Sequence, residues 1–111
     1  MGSPGKSFAR AHPRRYGKYI AMEFEYDPEK SEANRAKHGI DFEDAQELWA
    51  DDDRLVIPAR SETESRWAML ARHGTRVWAA FYTLRDGRVR LISVRRARPN
   101  EKATYEGGRF G

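Results

Sequence analysis

Asp86-Gly87 lies between two β-forming runs, Val77 to Leu84 and Arg88 to Arg96, and it constrains the fold more than any other short segment. An Asp-Gly pair accepts positive φ at both central positions of a tight turn, which a right-twisted hairpin needs. A two-residue loop there pairs Leu84 with Val89, Tyr82 with Leu91 and Trp78 with Arg95. One face of the hairpin then carries Trp78, Tyr82, Leu91, Ser93 and Arg95. The other carries Ala79, Phe81, Thr83, Arg90, Ile92, Val94 and Arg96. Both faces mix apolar and cationic side chains, so alternation leaves open which one is covered.

The remaining elements follow from local signals. Met22 to Tyr26 alternates apolar and acidic residues, as a short edge strand does. Asp27-Pro28 starts a helix, with aspartate as N-cap and proline at the first helical position. Ala33 and Ala36 are expected on its inner side, and Gly39 stops it. Asp41 caps a second helix, with Phe42, Ala45, Leu48 and Trp49 on one face. Asp51-Asp52-Asp53 follows. Three acids sit badly at a negative helix C-terminus, so they belong either to that end or to the loop. Leu55 to Ile57 is a short strand closed by Pro58. A longer strand covers Ser65 to Arg72, with His73-Gly74 as the next turn. A last helix runs from Pro99 to Glu106, before Gly107-Gly108. The order is β-α-α-β-β-β-β-α, an α+β domain on a mostly antiparallel, twisted sheet.

The 111 residues suit one domain, assigned to 22–111, and mean hydropathy is −0.91. No apolar run reaches membrane-spanning length. The absence of cysteine rules out disulfides and thiolate chemistry and fits a reducing cytoplasm. Residues 1–21 hold five bases and no acid, lack apolar periodicity, and read as a basic extension outside the fold, with Met-Gly-Ser resembling a cloning scar.

The net charge of +4 conceals a division. Residues 22–53 carry 12 acids and 3 bases, a net of −9. Residues 54–111 carry 13 bases and 5 acids, a net of +8, and 12 of those bases are arginine. Such separation predicts one surface suited to a polyanion and another suited to a basic partner or to internal pairing. Arginines bracketing an apolar strand centre (Arg88, Arg90, Arg95, Arg96, Arg98 around Leu91, Ile92 and Val94) place planar donor forks on a rigid platform, where they can grip phosphate.

Several residues carry a family resemblance. Tyr26-Asp27-x-x-Lys30-x-x-x-Asn34-x-x-Lys37-His38-Gly39-Ile40-x-Phe42-x-x-Ala45 resembles the opening signature of BrnT toxins of bacterial type II toxin–antitoxin modules. Glu64-x-Arg66 resembles that family's second motif. Arg90-Leu-Ile92-Ser93-x-Arg95-Arg96-Ala97, with Glu101 and Tyr105, resembles its closing motif. The chain departs from the pattern at Tyr26, where tryptophan is common, at Ala71, where glycine is common, and at Arg98-Pro99, where Ser or Thr often caps the last helix.

The resemblance implies a RelE-like ribonuclease fold, RNA cleavage without metal or other cofactor, and growth arrest. It also implies neutralisation by a BrnA-type antitoxin in a heterotetramer that reaches operator DNA only through the antitoxin. Metal-free cleavage needs cationic donors for the pentacoordinate phosphate and groups to move two protons. Arg66, Arg95 and Arg96 are the candidates for holding phosphate, with Arg88, Arg90 and Arg98 as further RNA contacts; the bland alternative is pairing with the protein's own acids. Tyr105 and His38 are candidates for proton transfer or positioning. The alternatives are a core tyrosine anchoring the last helix and a histidine capping helix carbonyls. Glu62 and Glu64 are candidate bases or arginine partners. Trp49, Trp67 and Trp78 suit core packing better than base stacking. Three scattered histidines make a metal site improbable. A rival reading is a non-catalytic module whose arginine face binds an acidic partner.

Overall fold

A computed structural model describes residues 9–10 and 22–108. It is a mixed α+β fold. Six strands form one sheet in the order β1-β2-β6-β5-β4-β3. They are β1 (Ala9–Arg10), β2 (Phe24–Tyr26), β3 (Leu55–Ala59), β4 (Arg66–His73), β5 (Arg76–Arg85) and β6 (Arg88–Arg96). Helix α1 (Pro28–His38) follows β2, a 3-10 helix (Asp44–Ala50) follows α1, and α2 (Pro99–Gly108) closes the chain. Every neighbouring pair is antiparallel except β2 with β6, which is parallel. The expected extension over 1–21 lies outside the described residues except for β1, which pairs Ala9 with Tyr26 and Arg10 with Glu25.

The turn at Asp86-Gly87 forms as its sequence dictates. Both residues have positive φ, 52° and 78°, the requirement of a type I′ turn. Leu84 pairs with Val89 and Tyr82 with Leu91. Beyond that point the expected register fails. A β-bulge between Phe81 and Tyr82 opposes an extra residue on β6, so Trp78 meets Arg96 instead of Arg95. From Ser93 onward the side chains therefore exchange faces. Val94 and Arg96 join Trp78, Ala80, Tyr82 and Leu91, while Ser93 and Arg95 join Ala79, Phe81 and Thr83.

Two other expected boundaries move. The β4–β5 turn is Gly74-Thr75, not His73-Gly74, because His73 pairs with Arg76; Gly74 supplies the positive φ of 65° at the first turn position. Pro58 does not close β3. The strand continues through it to Ala59, which an outermost strand permits because the missing N–H can face away from the ladder.

The helices differ from expectation in ways that matter for packing. Asp27 caps α1 by accepting from the Glu29 N–H, and Gly39 ends it in the left-handed conformation at φ 83°. Ala33 and Ala36 are exposed, and the inner face is polar: Ser31 and Asn34 are buried. Ser31 Oγ accepts from the Phe42 N–H. Asn34 Nδ2 donates to the Ile40 and Val94 carbonyls, and its Oδ1 accepts from the Val94 N–H. The side chain thus acts as a short strand against β6. The second helix is 3-10, not α, although Asp41 does accept from the Asp44 N–H at its start. Phe42, Ala45 and Leu48 fall at steps of three, the 3-10 repeat, and all are buried.

Two apolar clusters sandwich the sheet. The larger lies under α1 and the 3-10 helix and includes Phe24, Phe42, Leu48, Trp49, Trp78 and Tyr82. Trp49 packs edge-on against both Phe24 and Tyr82. The smaller lies under α2 and contains Leu70, Val77, Ala79 and Tyr105. The sheet thus has an α1 face with a full core and an α2 face covered only toward one end. No helix among the described residues is long and apolar enough to cross a membrane.

Candidate RNA-binding face

The α2 face is built from strand register. Leu70, Ala79 and Arg95 form one row across β4, β5 and β6; Ala68, Phe81 and Ser93 form the next. Tyr105 covers the first row. In the second row Phe81 and Ser93 remain half-buried, so the face opens there toward the Asp86-Gly87 turn.

Arg95 is held on this surface by a two-bond clamp. Its Nη1 donates to Glu101 Oε1 at 2.8 Å and its Nη2 to Glu101 Oε2 at 2.9 Å. Nη1 also donates to the Arg96 carbonyl at 3.2 Å. The guanidinium lies 5.0 Å from the Phe81 ring centre. A guanidinium has five donors in a fixed plane. Three are committed here, and the two that remain, Nε–H and the second Nη2–H, form the side-on fork. Hydrogen bonding to Glu101 is the main reason the Arg95 pKa rises above its ordinary value, against the cost of burial. The same bonds are the main reason Glu101 lies below the usual carboxylate range.

Glu101 has a second task. Its Oε1 accepts from the Arg98 N–H at 2.8 Å. Arg98 is the residue before α2, Pro99 its first residue and Glu101 its third, so this is the backward half of a capping box. The start of α2 is thereby secured without the usual Ser or Thr.

Arg66 opens β4 on the same face as Leu70. It lines a cleft of about 470 Å³ with Pro58, Ala59 and the loop 61–65. Its Nε lies 3.5 Å from Glu64 Oε2, yet that buried Nε–H has no hydrogen-bond partner. Buried donors without acceptors are uncommon, and this one lies beside an open cleft.

The other candidates are distributed differently. Arg88 and Arg90 face β2, where they pair with Glu23 at 3.1 Å and Glu25 at 2.9 Å. These acids come from β2 and the residue just before it, not from the helices. Arg98 is exposed beside Glu101. Arg96 lies on the α1 face, 5.9 Å from the Trp78 ring centre. His38 ends α1 and so also belongs to that side of the sheet. The structure therefore brings Arg66, Arg95 and Tyr105 to one face and leaves Arg96 and His38 on the other. Among the described residues, no three His, Asp or Glu side chains converge as a metal site requires.

Tyr105 is 2% exposed. Its hydroxyl donates to Asp51 Oδ2 at 2.6 Å, and the Arg72 guanidinium lies 5.6 Å from its ring centre. Burial, then the bond to Asp51, raises its pKa above the ordinary phenol value. Asp51 also accepts from the Arg72 and Asp53 N–H groups at 2.7 and 2.9 Å. Burial pushes the Asp51 carboxyl up, but these donors together hold it below the usual range. Asp51 escaped the sequence reading as a site residue, although a triplet of acids at a helix end was its signal. The triplet follows the 3-10 helix as a loop, and its first member points to a helix 54 positions later.

The family model of the ribonuclease toxin BrnT, of type II toxin–antitoxin systems, matches residues 26–101. The chain belongs to the BrnT family. The BrnT match spans Arg66, Arg95 and Glu101, so the clamped arginine and its partner lie within it; Tyr105 lies just beyond. As a BrnT toxin, the chain is a ribonuclease that acts on RNA and has an antitoxin partner. A comparison with curated proteins gave no match.

Proposed function

We propose that this BrnT toxin is a metal-independent endoribonuclease with a RelE-like fold, and that its reacting phosphate binds on the α2 face between Arg95 and Arg66. The carrying observation is the state of Arg95. Glu101 fixes the end-on fork, and the side-on fork is left unspent over Phe81. A phosphate can take that fork without displacing Glu101, so the donors are oriented before substrate arrives. Arg66 contributes a second guanidinium with an unsatisfied donor. By strand spacing the two α-carbons are roughly 15 Å apart, a span that two extended arginines can close around one phosphate.

On this arrangement the 2′-hydroxyl oxygen bonds to the neighbouring phosphorus, the P–O5′ bond breaks to leave a 2′,3′-cyclic phosphate and a 5′-hydroxyl, and the two arginines neutralise the growing charge. Glu62 or Glu64, which line the cleft beside Arg66, would accept the 2′-hydroxyl proton, and solvent water would supply the proton to the leaving 5′-oxygen. Arg88 and Arg90 on β6 and Arg98 just after it extend the surface, with the first two already balanced by Glu23 and Glu25. Arg96 and His38, on the opposite side, serve flanking contacts. Cleavage of RNA would stop translation in the cytoplasm. A BrnA-type antitoxin would relieve it by covering the basic face, in a heterotetramer that meets operator DNA through the antitoxin alone.

The test is cleavage of single-stranded RNA by purified chain in excess EDTA. Wild type should cleave, and Arg95→Ala should be slower by about 100-fold or more, the usual effect of losing one oriented donor from a charged transition state. Cleavage that requires added divalent metal, or that is unchanged in Arg95→Ala, would overturn the proposal. Tight binding to an acidic peptide with no RNA affinity would favour a purely protein-binding role.

A further inference from the structure

We infer that Asp51 and Tyr105 form a clasp whose task is to position Arg95, acting through α2; this rests on the reading of Arg95 as the phosphate-holding group. Glu101 and Tyr105 are four residues apart and share one face of α2. Glu101 binds Arg95 on β6, while Tyr105 binds Asp51 at the end of the 3-10 helix. The helix is pinned at two points on opposite sides of β5. Between them its apolar seating is small: among the described residues the cluster beneath it has four buried members, Tyr105 included, with Leu55, Phe81 and Ala97 partly buried at its edge.

The clasp is itself anchored. Asp51 Oδ2 accepts from both the Tyr105 hydroxyl and the Arg72 backbone N–H, so the carboxylate is tied to β4. Arg72 returns to α2 through an ion pair with Glu106 at 3.7 Å. Losing the Tyr105 hydroxyl keeps the ring in its cluster but removes the bond that fixes how the second half of α2 is seated on β4 and the 3-10 helix. Glu101 then moves with the helix, and the Arg95 side-on fork loses its aim. Tyr105 donates no proton to RNA in this scheme: its hydroxyl is buried and already used.

Tyr105→Phe separates these roles. Two quantities should be followed together: RNA cleavage, and the guanidinium proton signals of Arg95 in nitrogen-15-labelled protein. In wild type the clamp should restrict rotation and keep the Arg95 Nη protons distinct. In Tyr105→Phe those signals should merge, and kcat should fall on the order of tenfold with KM little changed, as a small misplacement of a reacting group produces. In a Glu101→Gln background the same change should add nothing. Asp51→Asn, which keeps the ring, should reproduce the result and serves if Tyr105→Phe does not fold. Wild-type cleavage with unchanged Arg95 signals would overturn the clasp. So would a fall in kcat with the Arg95 signals intact, since Tyr105 would then act on substrate directly. If instead Arg95→Ala cleaves normally while the signals respond as expected, the phosphate assignment fails and the clasp stands.

Discussion

Glu101 holds Arg95 with one pair of bonds and starts α2 with another, so a single carboxylate joins a site residue to the helix above it. Its charge, and that of Asp51, should be visible in the acid limb of stability. Both carboxyls lie below the usual range in the folded chain. A group depressed in this way contributes stability that is fully present above its unfolded pKa and is lost as pH falls through the folded one. Thermal melts should therefore show a marked loss below about pH 4. Glu101→Gln and Asp51→Asn should each melt lower than wild type at pH 6 and lose less between pH 6 and pH 3. Equal acid dependence in all three proteins would contradict these pairings. Arg95 was recognisable in the sequence because strand arginines next to a helix start are unusual. Its clamp by Glu101 was not, since that depends on where the face exchange leaves the side chain.

At the scale of elements, Asn34 ties α1 to the sheet through two bonds to Val94. Asn34→Ala leaves the Val94 N–H and the Val94 and Ile40 carbonyls without their partner, at a cost of about 2–4 kcal/mol. Asn34→Asp should be at least as damaging, because a carboxylate cannot donate to the two carbonyls. Urea unfolding with an unchanged slope and a lower midpoint would show it. These elements also show what the sequence discloses. The caps of α1 and the Asp86-Gly87 turn are local, and Asp27, Pro28, Gly39 and Gly87 announce them. The inner face of α1 is not announced: Ser31 and Asn34 look like solvent residues, and only backbone groups distant in sequence make them interior ones. The 3-10 helix was hidden because a spacing of three is also compatible with an α-helix. The bulge was hidden because no glycine or other local cue marks it.

Across the whole molecule, charge is divided between the two halves of the chain. The acidic stretch 22–53 supplies β2, α1 and the 3-10 helix, and the basic stretch 54–111 supplies the strands and helix around the α2 face. The resulting field should draw RNA to one side. If Arg66 and Arg95 share one phosphate and Arg98 contacts a second, the logarithm of binding affinity should fall with the logarithm of salt concentration at a slope of about −1.4, and Arg95→Ala should shallow it by up to about 0.7. Fluorescence titrations of a labelled, non-cleavable single strand at several salt concentrations measure both, and a slope indifferent to Arg95 would argue against contact. The bulge has a further consequence for how such a protein can change over evolutionary time. Adjacent arginines, Arg95 and Arg96, serve opposite faces because strand side chains alternate, and the extra residue in β6 decides which arginine serves which face. Substitution at either arginine alters one face. Loss of the extra residue at Ile92 would leave Arg95 opposite Ala79, whereas an added residue between Leu91 and Arg95 that no second bulge absorbs would move Arg95 opposite Trp78 and remove the side-on fork with every arginine still present. Lineages of this toxin should therefore tolerate insertions at the Gly74-Thr75 turn far better than in the stretch of β6 between Leu91 and Arg95.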